Sequence, residues 1–379
     1  MKKKERIISA IKLNSVDRIP TSYRGTKHIN IELYNYFGLS DYNNSLVNNY
    51  KEFLKKIGAD IWSSGSKISA FGNFIPKYSG PPPKLPYAKD RDLFYTIGIN
   101  SINKKIKDYE YDFCEYGVDP ILADAEKAGD IEKDFLISKL GLFDFNKLDN
   151  RYCELTLEEI EEDEDEFICI GTLSSIFMIC CYLRGMNQFL MDLASNKVLA
   201  EFIIKSVGEF CIEFCKKELD ASKGKADYYG TWDDVAGQDG MMFEPEIFKK
   251  YFLPFYTEII EQVKKNNIYF GWHCCGSVNE VLPYMIDAGI DVFDVAQTSA
   301  RDMDLTNLNS LYGNKVCIHG AMDSQKLLVY GSQNEIKEEI KKARDLWGEK
   351  GGLILAPSHL ITPDTPLKNI LAFYEGLKA

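Results

Sequence analysis

A chain of 379 residues with 45% apolar content can bury a large core, and it fits either one barrel-sized domain or two ordinary ones. The formal net charge of −12, with no Lys/Arg cluster beside an aromatic platform, argues against nucleic-acid binding. No apolar run approaches the roughly 18 residues that cross a bilayer, so no membrane span is expected.

The N-terminal "MKKKERIISAIKLNSVDRIP" lacks the continuous apolar stretch and cleavage site of a secretory signal. The expected location is therefore cytoplasmic, with the ten cysteines reduced. Strands are expected near 18–25, 59–64, 167–172, 226–234, 268–274, 290–297, 315–321 and 352–359, where short apolar runs end in polar residues. Helical patterns fall between them at about 42–57, 176–222, 244–266, 277–288, 304–313, 333–348 and 366–378. Apolar strands alternating with helices indicate a parallel sheet, and eight such units favour an α/β fold of the (β/α)₈ TIM-barrel type. No glycine-rich dinucleotide fingerprint follows the first strand, which weakens the open-sheet alternative. Residues 65–166 break the cadence with "SGPPPKLP" (79–86) and the acidic "EEIEEDEDE" (158–166). They read as an insertion after the second strand, supplying a hairpin and helices near the barrel mouth, within one domain spanning 1–379.

Barrel chemistry collects at the C-terminal strand ends. Those ends carry Tyr23, Arg24, Ser63, Ser64, Thr172, Asp233, Asp234, His273 to Cys275, Asp294, Gln297, His319 and His359, including three of the chain's four histidines. Residues two apart on a strand share a face, so His273 and Cys275 can both look into the mouth while Trp272 and Cys274 look out. A third ligand must come from another strand, and His359 ends the eighth. Imidazole plus thiolate with an open fourth position suits catalytic Zn²⁺. Asp233 and Asp234 are candidates for a further ligand, a support for an imidazole, or a general acid. Gln297 and His319 are candidate substrate contacts, and Tyr23, Trp232, Tyr228 and Phe177 candidate aromatic walls. Cys180, Cys181, Cys211 and Cys215 sit at helical spacing and read as core.

The stretches "SVDRIP", "LRGMNQFLMDLASN", "TWDDVAGQDGMMFEPEIFKKYFLPFY", "HCCGSV", "AQTSARDMDLTNL", "HGAMDSQ" and "LAPSHLITPDTPLKNILAFYE" resemble the uroporphyrinogen decarboxylase superfamily. That resemblance implies a barrel shared by decarboxylases and by zinc-dependent methyltransferases that work with corrinoid proteins. In the methyltransferase branch the zinc sits on an H-x-C pair, here His273 and Cys275, and on a later cysteine before "P-x-T-P", where this chain has His359. The decarboxylase branch has an arginine-rich N-terminal signature, whereas "TSYRGTKHINIELYNYFG" offers Arg24 alone as a substrate-gripping cation. The resemblance thus implies a methyltransferase holding Zn²⁺ on His273, Cys275 and His359. Its expected reaction moves a methyl group from a small O- or N-methyl substrate to a corrinoid carried by a partner protein, with a homodimer as a candidate assembly. Transfer from a methylcorrinoid to a thiol, a decarboxylase-like lyase acting on a non-porphyrin substrate, and a catalytically silent carrier-docking subunit are the alternatives.

Overall fold

The computed structural model describes residues 1–39, 46–64, 67–69, 74–78, 101–106, 109–116, 120–150, 157, 165–171 and 175–377. Eight strands follow the order expected for a (β/α)₈ barrel: β1 (Ser22–Tyr23), β2 (Ile61–Ser64), β3 (Cys169–Ile170), β4 (Tyr228–Trp232), β5 (Tyr269–His273), β6 (Val292–Ala296), β7 (Cys317–Met322) and β8 (Leu353–Pro357). Parallel ladders join β3 through β8 in sequence. A parallel bridge from Thr21 to Leu355 and the Leu355 N–H to Pro20 carbonyl bond carry the sheet from β8 to β1, and β1 pairs parallel with β2. Between β2 and β3 no ladder occurs among the described residues; Phe74 of the strand Phe74–Tyr78 instead pairs with Ile170 of β3.

The strand starts form one apolar layer. Ile61, Cys169, Tyr228, Val292, Cys317 and Ile354 pack with Ile7, Ala10 and Ile11 of the helix Lys3–Ile11. Those helical positions recur at the three- and four-residue spacing of a single face, so the helix closes the lower end of the barrel. Arg6 of this helix bonds Asp17 at 2.6 Å and Asp60 at 2.8 Å, tying the plug to the start of β2. The opposite end, where the strands finish, is left for chemistry.

Several expected helices are divided. The stretch 176–222 forms three, Ile176–Arg184, Met186–Ser195 and Lys197–Ser222, because Gly185 takes a φ of +85° between the first two. The stretch 244–266 includes a π turn, Phe248–Phe252, just before Pro254, whose ring cannot donate to the preceding turn. Within the insertion the hairpin is present as Ser101–Ile106 against Tyr109–Tyr116, and Phe143–Asn150 pairs antiparallel with Phe74–Tyr78. Its described helical turns are the short 3₁₀ segments Ala128–Asp130 and Ile137–Leu142. The stretch 79–86, residues 158–164 and Thr172 lie outside the described residues. No helix among those described is long and apolar enough to cross a membrane.

Candidate metal centre

Strand register builds the floor of the mouth. His273 on β5 is opposite Trp232 on β4 and Asp294 on β6, and Asp294 is in turn opposite His319 on β7. Paired residues of parallel strands share a face, so these side chains form a row across the barrel interior. Alternation does the same on β1: Ser22 reaches inward to His319 and Arg24 inward to Asp294, while Tyr23 between them turns out to Phe53 and Asn30.

Asp294, fully buried, is the hub. One oxygen lies 2.7 Å from His273 Nδ1; the other lies 2.6 Å from His319 Nδ1 and accepts from Arg24 at 3.0 Å. Burial alone would raise the Asp294 carboxyl, but Arg24, His319 and His273 outweigh it and hold it well below the usual carboxylate range. His319 has Ser22 Oγ 2.6 Å from its other nitrogen, and burial lowers its pKa against the pull of Asp294.

Above this row, three donors converge. Asp234, His273 and Cys275 each place a ligand atom within 4.8 Å of the other two. His273 Nε2 is 3.5 Å from Cys275 Sγ and 3.9 Å from Asp234 Oδ1. Ligands at about 2.1 and 2.3 Å on a tetrahedral ion stand about 3.6 Å apart, so the nitrogen–sulfur spacing matches a shared zinc. Burial first and Asp234 second push the Cys275 thiol well above its ordinary value, a trend that a bound divalent cation reverses. The donor set therefore fits Zn²⁺.

The backbone around Cys275 is held from three sides. Its N–H donates to Asp234 Oδ1 at 2.7 Å, and the next N–H, of Gly276, donates to Gln297 Oε1 at 2.8 Å. Gly276 adopts φ +89°, where a Cβ would come within 2.4 Å of the Gly237 carbonyl oxygen, so only glycine makes this turn without strain. Cys274 faces away, fully buried, with its sulfur accepting from the Val235 N–H at 3.3 Å.

His359 stands outside the three-donor group. It is exposed to solvent, and desolvation first and the charge of His273 second lower its pKa.

The two adjacent aspartates divide sharply. Asp234 has 34% of its side chain exposed, within the donor group. Asp233, next along the strand, points outward and is fully buried at the start of the helix Ile176–Arg184. It accepts from Phe177 N–H at 2.8 Å, Met178 N–H at 2.7 Å and Tyr256 O–H at 2.5 Å, while Tyr256 accepts from Ile176 N–H. Burial pushes the Asp233 carboxyl up to about 7, against the pull of its three donors. The expectation of a catalytic Asp233 gives way to a helix cap supplied from another strand.

The candidate substrate contacts sort in the same way. Tyr23 and Phe177 are packed in the core, Tyr228 fills the space over Gly271, and His319 is enclosed with both nitrogens engaged. Arg24 is buried against Asp294, and Gln297 braces the Cys275 turn, so neither is an exposed grip for substrate. Trp232 remains half-buried on the inward face beside Asp234. Nothing is described of the side chains of Ser63 and Ser64. The four helical cysteines are buried with thiols raised by that burial, as core residues should be. Sequence reasoning misses Ser22 and names Asp294 only as a polar strand end, without a role; the inward parity of Asp294 with Val292 in "IDVFDVAQ" is the signal for one.

Comparison with known proteins gives a consistent family. The family model "Uroporphyrinogen decarboxylase (URO-D)" matches residues 150–379. A uroporphyrinogen decarboxylase of Legionella pneumophila is 23% identical over 228 residues, covering 57% of this chain and 60% of its own. The methylcobamide:CoM methyltransferase MtbA of Methanosarcina acetivorans is 25% identical over 214 residues, 56% of this chain and 58% of its own. The methylcobamide:CoM methyltransferase MtaA of Methanosarcina barkeri is 30% identical over 207 residues, 54% of this chain and 56% of its own. The alignments thus span about 60% of the length of these relatives. The solved structure of a methyltransferase from Methanosarcina mazei superposes with a TM-score of 0.64 at 20% identity, covering 100% of this chain and 98% of the other, which establishes the shared barrel fold.

Proposed function

The chain belongs to the uroporphyrinogen decarboxylase family, and from that premise we propose that it is a zinc- and corrinoid-dependent methyltransferase. The observation that carries this reading is the convergence of His273 Nε2, Cys275 Sγ and the Asp234 carboxylate in the barrel mouth. His273 and Cys275 would hold the ion, with Asp234 and His359 as the candidates for the remaining protein ligand. Bound there, Zn²⁺ would act as a Lewis acid on the heteroatom that carries or receives the methyl group. The chain's own residues prepare that position: Asp234 and Gln297 hold the Cys275 turn, and Trp232 walls the side towards β4.

Direction follows from charge. A set with imidazoles and a single thiolate leaves the ion more electrophilic than a two-thiolate set, which favours demethylation of a small O- or N-methyl substrate with a corrinoid on a partner protein as acceptor. Departure of an alkoxide or amine calls for a proton, which Asp234, with its partly exposed carboxyl, would deliver. That the Methanosarcina relatives are methylcobamide:CoM methyltransferases favours the second reading, methylation of a thiol from a methylcorrinoid. A decarboxylase acting on a porphyrinogen is disfavoured, because Arg24, the one arginine of that N-terminal stretch, is buried and paired with Asp294.

The test is elemental analysis of the purified protein followed by both assays: demethylation of a methyl ether and a methylamine with a reduced corrinoid protein, and thiol methylation from methylcobalamin. One zinc per chain with ether or amine cleavage is expected. Full activity in metal-free protein, in any of these assays, would refute the reading.

A further inference from the structure

Asp294 faces two imidazoles and the Arg24 guanidinium at once, and a carboxylate paired with a guanidinium accepts hydrogen bonds. Each imidazole must therefore present its N–H at Nδ1. In a neutral His273 this leaves the lone pair on Nε2, which lies 3.5 Å from Cys275 Sγ. For His319 it leaves Nε2 to accept from the Ser22 hydroxyl. Arg24, donating to the same carboxylate, keeps it charged in a site that solvent does not reach.

We propose that Asp294 is a positioning residue that locks the tautomers of His273 and His319 together, so that the chain presents His273 Nε2 as a metal donor before any metal arrives. This deepens the zinc reading and rests on it for the metal, but the tautomers themselves do not. The four groups come from β1, β5, β6 and β7, and the register row His273–Asp294–His319 sets their spacing. Replacing Asp294 by Asn keeps the shape but offers one acceptor oxygen and one NH₂ group to two N–H donors. One imidazole must then lose its partner or move its proton to Nε2. If that imidazole is His273, the lone pair meant for the metal is gone.

Two measurements test this. In the metal-free wild type, the ¹⁵N and ¹H shifts of the imidazoles, assigned through single His→Gln variants of the four histidines, should show Nδ1 protonated in both His273 and His319. A His273 carrying its proton at Nε2 overturns the proposal, whether or not zinc ever binds. Zinc affinity by chelator competition should fall about 10- to 100-fold in Asp294→Asn, the range for losing the partner of a ligating imidazole, and by less than that in His319→Gln, which leaves the Asp294–His273 bond in place. Equal losses in the two variants, or undiminished binding in Asp294→Asn, would overturn it. Should Asp294→Asn fail to fold because Arg24 loses this carboxylate, the wild-type tautomer measurement decides alone. A wild type that binds no zinc while showing the expected tautomers would sink the metal reading and leave this one standing.

Discussion

Cys275→Ser and Cys274→Ser are neighbouring substitutions with opposite expected consequences. Cys275 Sγ belongs to the converged donor group, 3.5 Å from His273 Nε2. Losing it should weaken zinc by more than the roughly 100-fold upper range of a supporting partner, or more than about 3 kcal/mol. Cys274 has no part in that group. Its sulfur is fully buried and takes the Val235 N–H at 3.3 Å, so a shorter, more polar hydroxyl there should cost stability, about 1–3 kcal/mol, while leaving zinc affinity near that of wild type. Chelator competition reads the first effect and urea unfolding of the metal-free proteins reads the second. Equal zinc loss in both variants would refute the alternation of inward and outward side chains at the end of β5, and with it the placement of the metal.

Asp234→Asn should lower demethylation by roughly 10²- to 10⁴-fold, as expected for a lost general acid, with zinc content measured on the same preparation to separate acid from ligand. Thiol methylation undiminished by this change, with no ether or amine cleavage in wild type, would show that transfer runs the other way. Asp233, with a folded pKa raised to about 7, binds its proton more tightly in the folded chain than in the unfolded one, so its contribution to stability is complete below the ordinary carboxylate range and is lost as pH rises from about 4 to about 7. Urea midpoints across that window should slope downward from this group, and Asp233→Asn should flatten the slope while weakening the cap by about 1–2 kcal/mol; an unchanged slope would mean that the carboxylate stays charged under its three donors. Gly276→Ala forces a side chain onto the Gly237 carbonyl at a positive φ, which should cost about 1–3 kcal/mol and lower zinc affinity by displacing Cys275, checked by thermal melts and chelator competition.

The sequence by itself determined the architecture and pointed to the strand ends as the candidate place of the chemistry. Eight apolar runs ending in polar residues, with helical patterns between them, became β1 to β8, because a parallel strand buried on both faces must be apolar along its length and its exposed end is where polar groups can go. The H-x-C parity at residues 273–275 correctly turned Cys274 away from the mouth, since alternation along a strand is a local property. Roles that depend on which strands lie side by side were decided only by the tertiary structure. Asp233 and Asp234 are adjacent in sequence, yet one caps the helix at Ile176 and the other joins the donors, because the helix that needs a cap begins more than fifty residues earlier in the chain. Arg24, His273, Asp294 and His319 come from four strands and meet through register, which a single sequence does not encode position by position. Arg24 and His319 therefore read as substrate contacts in one dimension and as part of the buried floor beneath the candidate metal site in three.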